Sequence, residues 1–82
     1  MGKLKEIMEM MQSEDYKERF KAEYLELELR IGKLSDLLAK WKNGNLDFEP
    51  TCPYELLEKQ LETMRTYSNI LLTRAGIEGI EL

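Results

Sequence analysis

Aromatic and cationic side chains gather at a few points of this chain. Tyr16, Lys17, Arg19 and Phe20 stand almost side by side, Arg30 and Lys33 follow, and Met64, Arg65, Tyr67 and Arg74 form a later group. A tyrosine ring beside a guanidinium or ammonium is a pairing that stacks on a base and holds a phosphate. Each tyrosine also has a plainer reading, since at helical spacing it is ordinarily core with its hydroxyl at the rim. That reading suits Tyr24. Tyr16 stands apart because it falls in the first turn of a helix, next to Lys17 and Arg19, where helix amides and cations converge.

Other chemistry lacks its residues. The 82-residue sequence has no histidine, so Ser-His, Cys-His and His-metal constellations are excluded. Cys52 is a single cysteine and can form neither an internal disulfide nor a thiolate metal cage, which suits a reducing cytoplasm. The carboxylates lack the Glu-x-x-His pairs of di-iron bundles, and Glu18, Glu23, Glu26 and Glu28 read as a solvated face. We expect a protein that is not an enzyme and holds no metal or cofactor. A net charge of −4 argues against a nucleic-acid polymer as partner, although a small anion in a local basic pocket is compatible with it. No apolar run approaches the ~20 residues of a membrane span, and the charges in MGKLKEIMEMM interrupt what a signal peptide would need as its apolar core.

The elements that must position these residues are helices. Phe20, Tyr24, Leu27, Ile31, Leu34, Leu38 and Trp41 recur at alternating spacings of four and three, a heptad seam along one helix expected from about Glu14 to Lys42. Ser13, Glu14 and Asp15 give it a start, and Asn43-Gly44 an end with a left-handed glycine. Gly32, in its interior, suggests a close approach by another backbone. Residues 43–52 form a loop whose Leu46 and Phe48 are expected to tuck over the end of a core. Pro53 reads as the first residue of a second helix extending to about Gly76, with Leu57, Leu61, Met64, Ser68, Leu71 and Ala75 as its seam. Two seams joined by a short loop predict an antiparallel hairpin at residues 14–76. Residues 1–13 add a short amphipathic helix with Leu4, Ile7, Met8 and Met11 on one side and Lys3, Lys5, Glu6 and Glu9 on the other. The tail at 77–82 either frays or docks on a neighbouring chain.

Beside each seam lies further apolar surface: Leu25, Leu29 and Leu37 on the first long helix, and Leu56, Tyr67 and Ile70 on the second. Two helices cannot cover two such broad faces on each other. The sequence therefore predicts an all-α hairpin assembled into a helical homo-oligomer.

The segments DYKERFKAEYLELELRIGKLSDLL and LLEKQLETMRTYSNILLTRAGIEGIEL resemble small helical-hairpin proteins of tailed phages, including crAss-like phages. The resemblance runs from Asp15 to Leu82 and rests on Asp15-Tyr16-Lys17-x-Arg19, Lys33-Leu34, Gln60-Leu61-x-x-Met64-x-x-Tyr67 and the EGIEL ending. Such proteins are similar to the anti-CBASS and anti-Thoeris sponges, symmetric oligomers that sequester cyclic oligonucleotides or cyclic ADP-ribose isomers without cleaving them. The resemblance implies that Tyr16 and Lys33 match an aromatic and a lysine lining a pocket at a subunit junction, in the cytoplasm of an infected bacterium. With the residues read above, the expected ligand-binding set is Tyr16, Lys17, Arg19, Phe20, Lys33, Tyr67 and Arg74. The competing expectation is a non-catalytic interaction protein that offers its Met-rich N-terminal helix or its tail to a host or phage protein.

Overall fold

The computed structural model describes residues 2–82, the side chain of Lys3 excepted, so the expected place of Lys3 on a polar face lies outside the described residues. Three helices follow in order, α1 (Gly2–Met11), α2 (Tyr16–Lys42) and α3 (Tyr54–Glu78), and the described residues include no strand. None of the described helices is long and apolar enough to cross a membrane.

Asp15, rather than Ser13, caps α2. Its extended backbone lets the carboxylate accept the Lys17 amide at 3.0 Å, while the Ser13 hydroxyl accepts the Asp15 amide at 3.1 Å and braces the turn before it. The helix accordingly begins at Tyr16, later than the expected Glu14. At the other end Gly44 takes φ 72°, its amide reaches the Trp41 carbonyl and that of Asn45 reaches Lys40, which closes α2 with a Schellman turn.

α2 and α3 run antiparallel, with Trp41 against Tyr54 at the loop end, Glu28 against Ser68 midway and Tyr16 against Glu78 at the open end. The heptad seams face each other. Phe20, Leu27, Leu71 and Ala75 are buried in one cluster, with Tyr24, Ile31 and Met64 packed on it, and Leu38 and Leu61 are buried further along. Ser68 is the one polar residue buried among the described residues, and its hydroxyl donates to Glu28 Oε1 at 3.0 Å, so it carries no unmet hydrogen bond into the core.

α1 packs against α2 on the other side. It turns a narrower face inward than expected: Ile7 is buried and Met10 half-buried, whereas Leu4, Met8 and Met11 are exposed. Ala22, off the α2–α3 seam, is fully buried as well. Met10 and Leu25 border one open depression between α1 and α2, and Leu25 is half-buried there.

Other expectations are corrected as well. A Cβ on Gly32 would meet nothing within 4 Å, so no backbone approaches it closely in this chain. Phe48 is 56% exposed and Leu46 only half-buried; the Trp41 and Tyr54 rings, 5.3 Å apart and nearly perpendicular, close the loop end instead. Pro53 is the cap before α3 rather than its first residue, and α3 continues through Gly76 to Glu78. The break falls at Gly79, with φ 70°, where the amides of Gly79 and Ile80 both donate to the Ala75 carbonyl. This turn drives Ile80 back into the core beside Phe20, Leu71 and Ala75, so the tail docks on its own chain.

Candidate functional site

The turn at Gly79 and the cap at Asp15 set the last turn of α3 beside the first turn of α2, at the open end of the hairpin. There Tyr16, Phe20, Arg74 and Glu78 form one assembly. The Tyr16 hydroxyl donates to Glu78 Oε1 at 2.8 Å, Arg74 Nε donates to Glu78 Oε2 at 3.1 Å, and Arg74 Nη2 donates to the Tyr16 oxygen at 2.9 Å. The guanidinium lies over the Phe20 ring, 4.9 Å from its centroid, and the Tyr16 ring meets Phe20 edge-on at 6.2 Å. Phe20 is buried in the core while Tyr16 and Arg74 are exposed. A rigid apolar base thus carries hydrogen-bonding groups that face solvent.

The electrostatics follow from these contacts. Hydrogen bonding to Glu78, helped by partial desolvation, raises the Tyr16 phenol above its usual pKa, with Arg74 pulling the other way. The Glu78 carboxyl is lowered, first by the Tyr16 hydrogen bond and then by Arg74, against desolvation. Arg74 is held more firmly protonated, chiefly by its bond to Glu78. The site presents a neutral phenol donor and a fixed cation bound to a carboxylate.

Of the expected ligand-binding residues, Tyr16, Phe20 and Arg74 meet here. Lys17 is exposed, and its amide is the group that Asp15 caps. Arg19 donates from Nη1 to the Ser13 carbonyl at 2.8 Å, fastening the segment between α1 and α2. Lys33 lies along a separate open groove of about 470 Å³ between α2 and α3, with Arg30, Gln60 and Met64 among its lining. Tyr67 borders an adjoining depression that shares Leu27 and Arg30 with the groove. Arg30 itself is bound to Glu26 at 2.8 Å. Lys33 stands seventeen residues after Tyr16 on the same helix, a rise of about 25 Å, so the two do not share a site within one chain.

A second helix ending at Gly76, as the sequence predicts, leaves Glu78 outside it, whereas α3 runs on to include it. The signal was the spacing of Arg74 and Glu78, four apart, which places them on one helical face once the helix extends that far. Among the described residues no group of His, Cys, Asp and Glu side chains could hold a metal ion.

Comparison with known proteins bears on the hairpin. The family model described as Sequestin matches residues 14–77, from just before the α2 cap to the last turn of α3. Neither the curated proteins nor the solved structures gave a match. The match fits the resemblance to phage anti-defence nucleotide sponges, and it spans Tyr16, Phe20, Lys33 and Arg74 together with the two seams that place them. By the extent of that match, the chain belongs to the sequestin family.

Proposed function

We propose that this protein is a phage anti-defence sponge, which binds and sequesters a cyclic oligonucleotide or a cyclic ADP-ribose isomer and does not cleave it. The observation that carries this reading is the joining of Tyr16, Arg74 and Phe20 at the open end of the hairpin. A planar guanidinium with two N–H groups in a fork and an adjacent hydroxyl suit phosphate oxygens, and the exposed phenol ring offers a face to a base. The family's name agrees with holding a molecule rather than converting it. Chemistry points the same way: a phenol held neutral is a poor nucleophile, and the sequence offers no histidine to act as general base.

The separation of Tyr16 and Lys33 gives the second part of the proposal. A small nucleotide touching both would lie between two copies of the chain, one offering its open end and the other its groove. Leu56, Tyr67 and Ile70 remain exposed on α3, and a second copy is the natural cover for them. We therefore keep the homo-oligomer as part of this reading, with a cytoplasmic setting in the infected cell.

Calorimetry against a panel of cyclic oligonucleotides and cyclic ADP-ribose isomers tests the proposal. One member should bind and be recovered chemically unchanged after heat release. Folded protein that binds none of them, or that returns a cleaved product, overturns it. A second reading draws on Leu4, Met8 and Met11, which α1 leaves exposed: the helix serves as a docking face for a host or phage protein. Deleting residues 1–12 separates the two, since nucleotide binding survives the deletion under the first and partner capture is lost under the second.

A further inference from the structure

Glu78 is the anomaly of the open end. It is the last residue of α3, where the helix dipole disfavours a negative charge. Its ion pair with Arg74 is solvent-exposed, of a kind that adds little stability. Yet both carboxylate oxygens are engaged, Oε1 by the Tyr16 hydroxyl and Oε2 by Arg74 Nε. The third bond, from Arg74 Nη2 to the Tyr16 oxygen, holds the two donors in register. Phe20 beneath fixes the guanidinium plane from the core side. Donors so arranged describe a seat for a planar or tetrahedral oxyanion, and the chain's own carboxylate sits in it.

We propose that Glu78 is a built-in competitor that occupies the phosphate seat of the Tyr16–Arg74 site and is displaced when a nucleotide phosphate binds. The inference rests on the sponge reading and adds a selection step to it. A phosphate oxygen takes the hydrogen bonds from the Tyr16 hydroxyl and Arg74 Nε, while the Glu78 side chain swings into solvent. That movement is local. The side chain is one-third exposed, and Ile80, not Glu78, anchors the chain end in the core. Free phosphate and simple nucleotides must then compete with a tethered carboxylate. A ligand with further contacts to the protein can displace it.

The test compares wild type with Glu78→Gln and Glu78→Ala, using adenosine diphosphate as probe and adenosine as the phosphate-free control. Gln keeps the shape and removes a charge from the unfavourable end of a helix, so the variant should fold; Ala covers the case in which the Gln amide itself bonds to Tyr16. Both variants should bind adenosine diphosphate at least about fivefold more tightly than wild type, the effect of removing one nearby like charge in a solvated site. Adenosine affinity should not change, and adding Arg74→Gln should abolish the gain. Equal or weaker binding by both Glu78 variants overturns the proposal, as does a failure of adenosine diphosphate to bind any of the three proteins. The sponge reading is decided separately by the signal panel, which a wild-type protein can pass whatever the Glu78 variants do.

Discussion

The two ends of the hairpin are held in different ways. At the loop end, α2 and α3 are joined by the chain, the Schellman turn at Gly44 sets the exit, and one ring pair, Trp41 on Tyr54, closes the gap while Phe48 stays in solvent. At the open end no covalent link exists, and side chains do the joining: Ile80 folds back beside Phe20, Leu71 and Ala75, and a ring of three hydrogen bonds ties Tyr16 to Arg74 and Glu78. A short loop keeps its two helix ends close at small entropic cost, whereas free ends fray unless tied. The open end therefore combines an anchored core with polar groups turned to solvent, the combination a binding site requires.

Leu71→Ala should have the largest effect. Leu71 is fully buried in the cluster at the open end, and truncating such a leucine costs about 2–5 kcal/mol. A chain of this size has stability of roughly 3–5 kcal/mol from a single core, so the variant should be largely unfolded or close to it in a urea titration followed by circular dichroism. Wild-type cooperativity with an unchanged midpoint would show that the core is held elsewhere.

The contrast between the ends also separates what was legible in the sequence from what was not. The heptad seams foretold which faces of α2 and α3 meet, because apolar side chains four and three apart have one side on which to be buried together. Tyr16, Phe20 and Arg74 were legible as residue types suited to a nucleotide. Their meeting was not, since it depends on α3 running past Gly76 to Glu78, and a helix with a glycine near its end can stop or continue at a cost of only about 1 kcal/mol. The apolar side of α1 was legible only in part. That side is wider than the one helix packed on it can cover, so contact with α2 buries Ile7 and half-buries Met10 while Leu4, Met8 and Met11 stay exposed.

An intermediate effect is expected from pH. The Glu78 carboxyl is held below its ordinary value in the folded chain, so its stabilisation is fully present above that ordinary value and is lost as pH falls through the lowered one. Tyr16 has the opposite sign: its phenol is raised, so its contribution is present below tyrosine's ordinary pKa and lost as pH rises through the raised one. At neutral pH Glu78→Gln should melt lower than wild type by a few degrees at most, because the pair is exposed. The difference should close in acid, where the wild-type carboxyl is itself protonated. A gap that persists unchanged down to acid would mean that the carboxylate charge plays no part in tying the open end.

The smallest effect should come from the loop end, with Phe48→Ala. A phenylalanine between two helices invites assignment to the core, and burial of such a side chain contributes about 1.5–3 kcal/mol. Phe48 is more than half exposed, with its ring outside the buried cluster, while Trp41 and Tyr54 already close that end of the seam. Removing it should shift the urea midpoint by no more than about 0.5 kcal/mol in equivalent stability, as for surface substitutions generally. Trp41→Ala supplies the comparison within the same end, since it removes one member of the ring pair and should cost distinctly more. If Phe48→Ala proved the costlier of the two, the loop rather than the ring pair would be holding the helices together there, and the difference between the ends would rest on the open end alone.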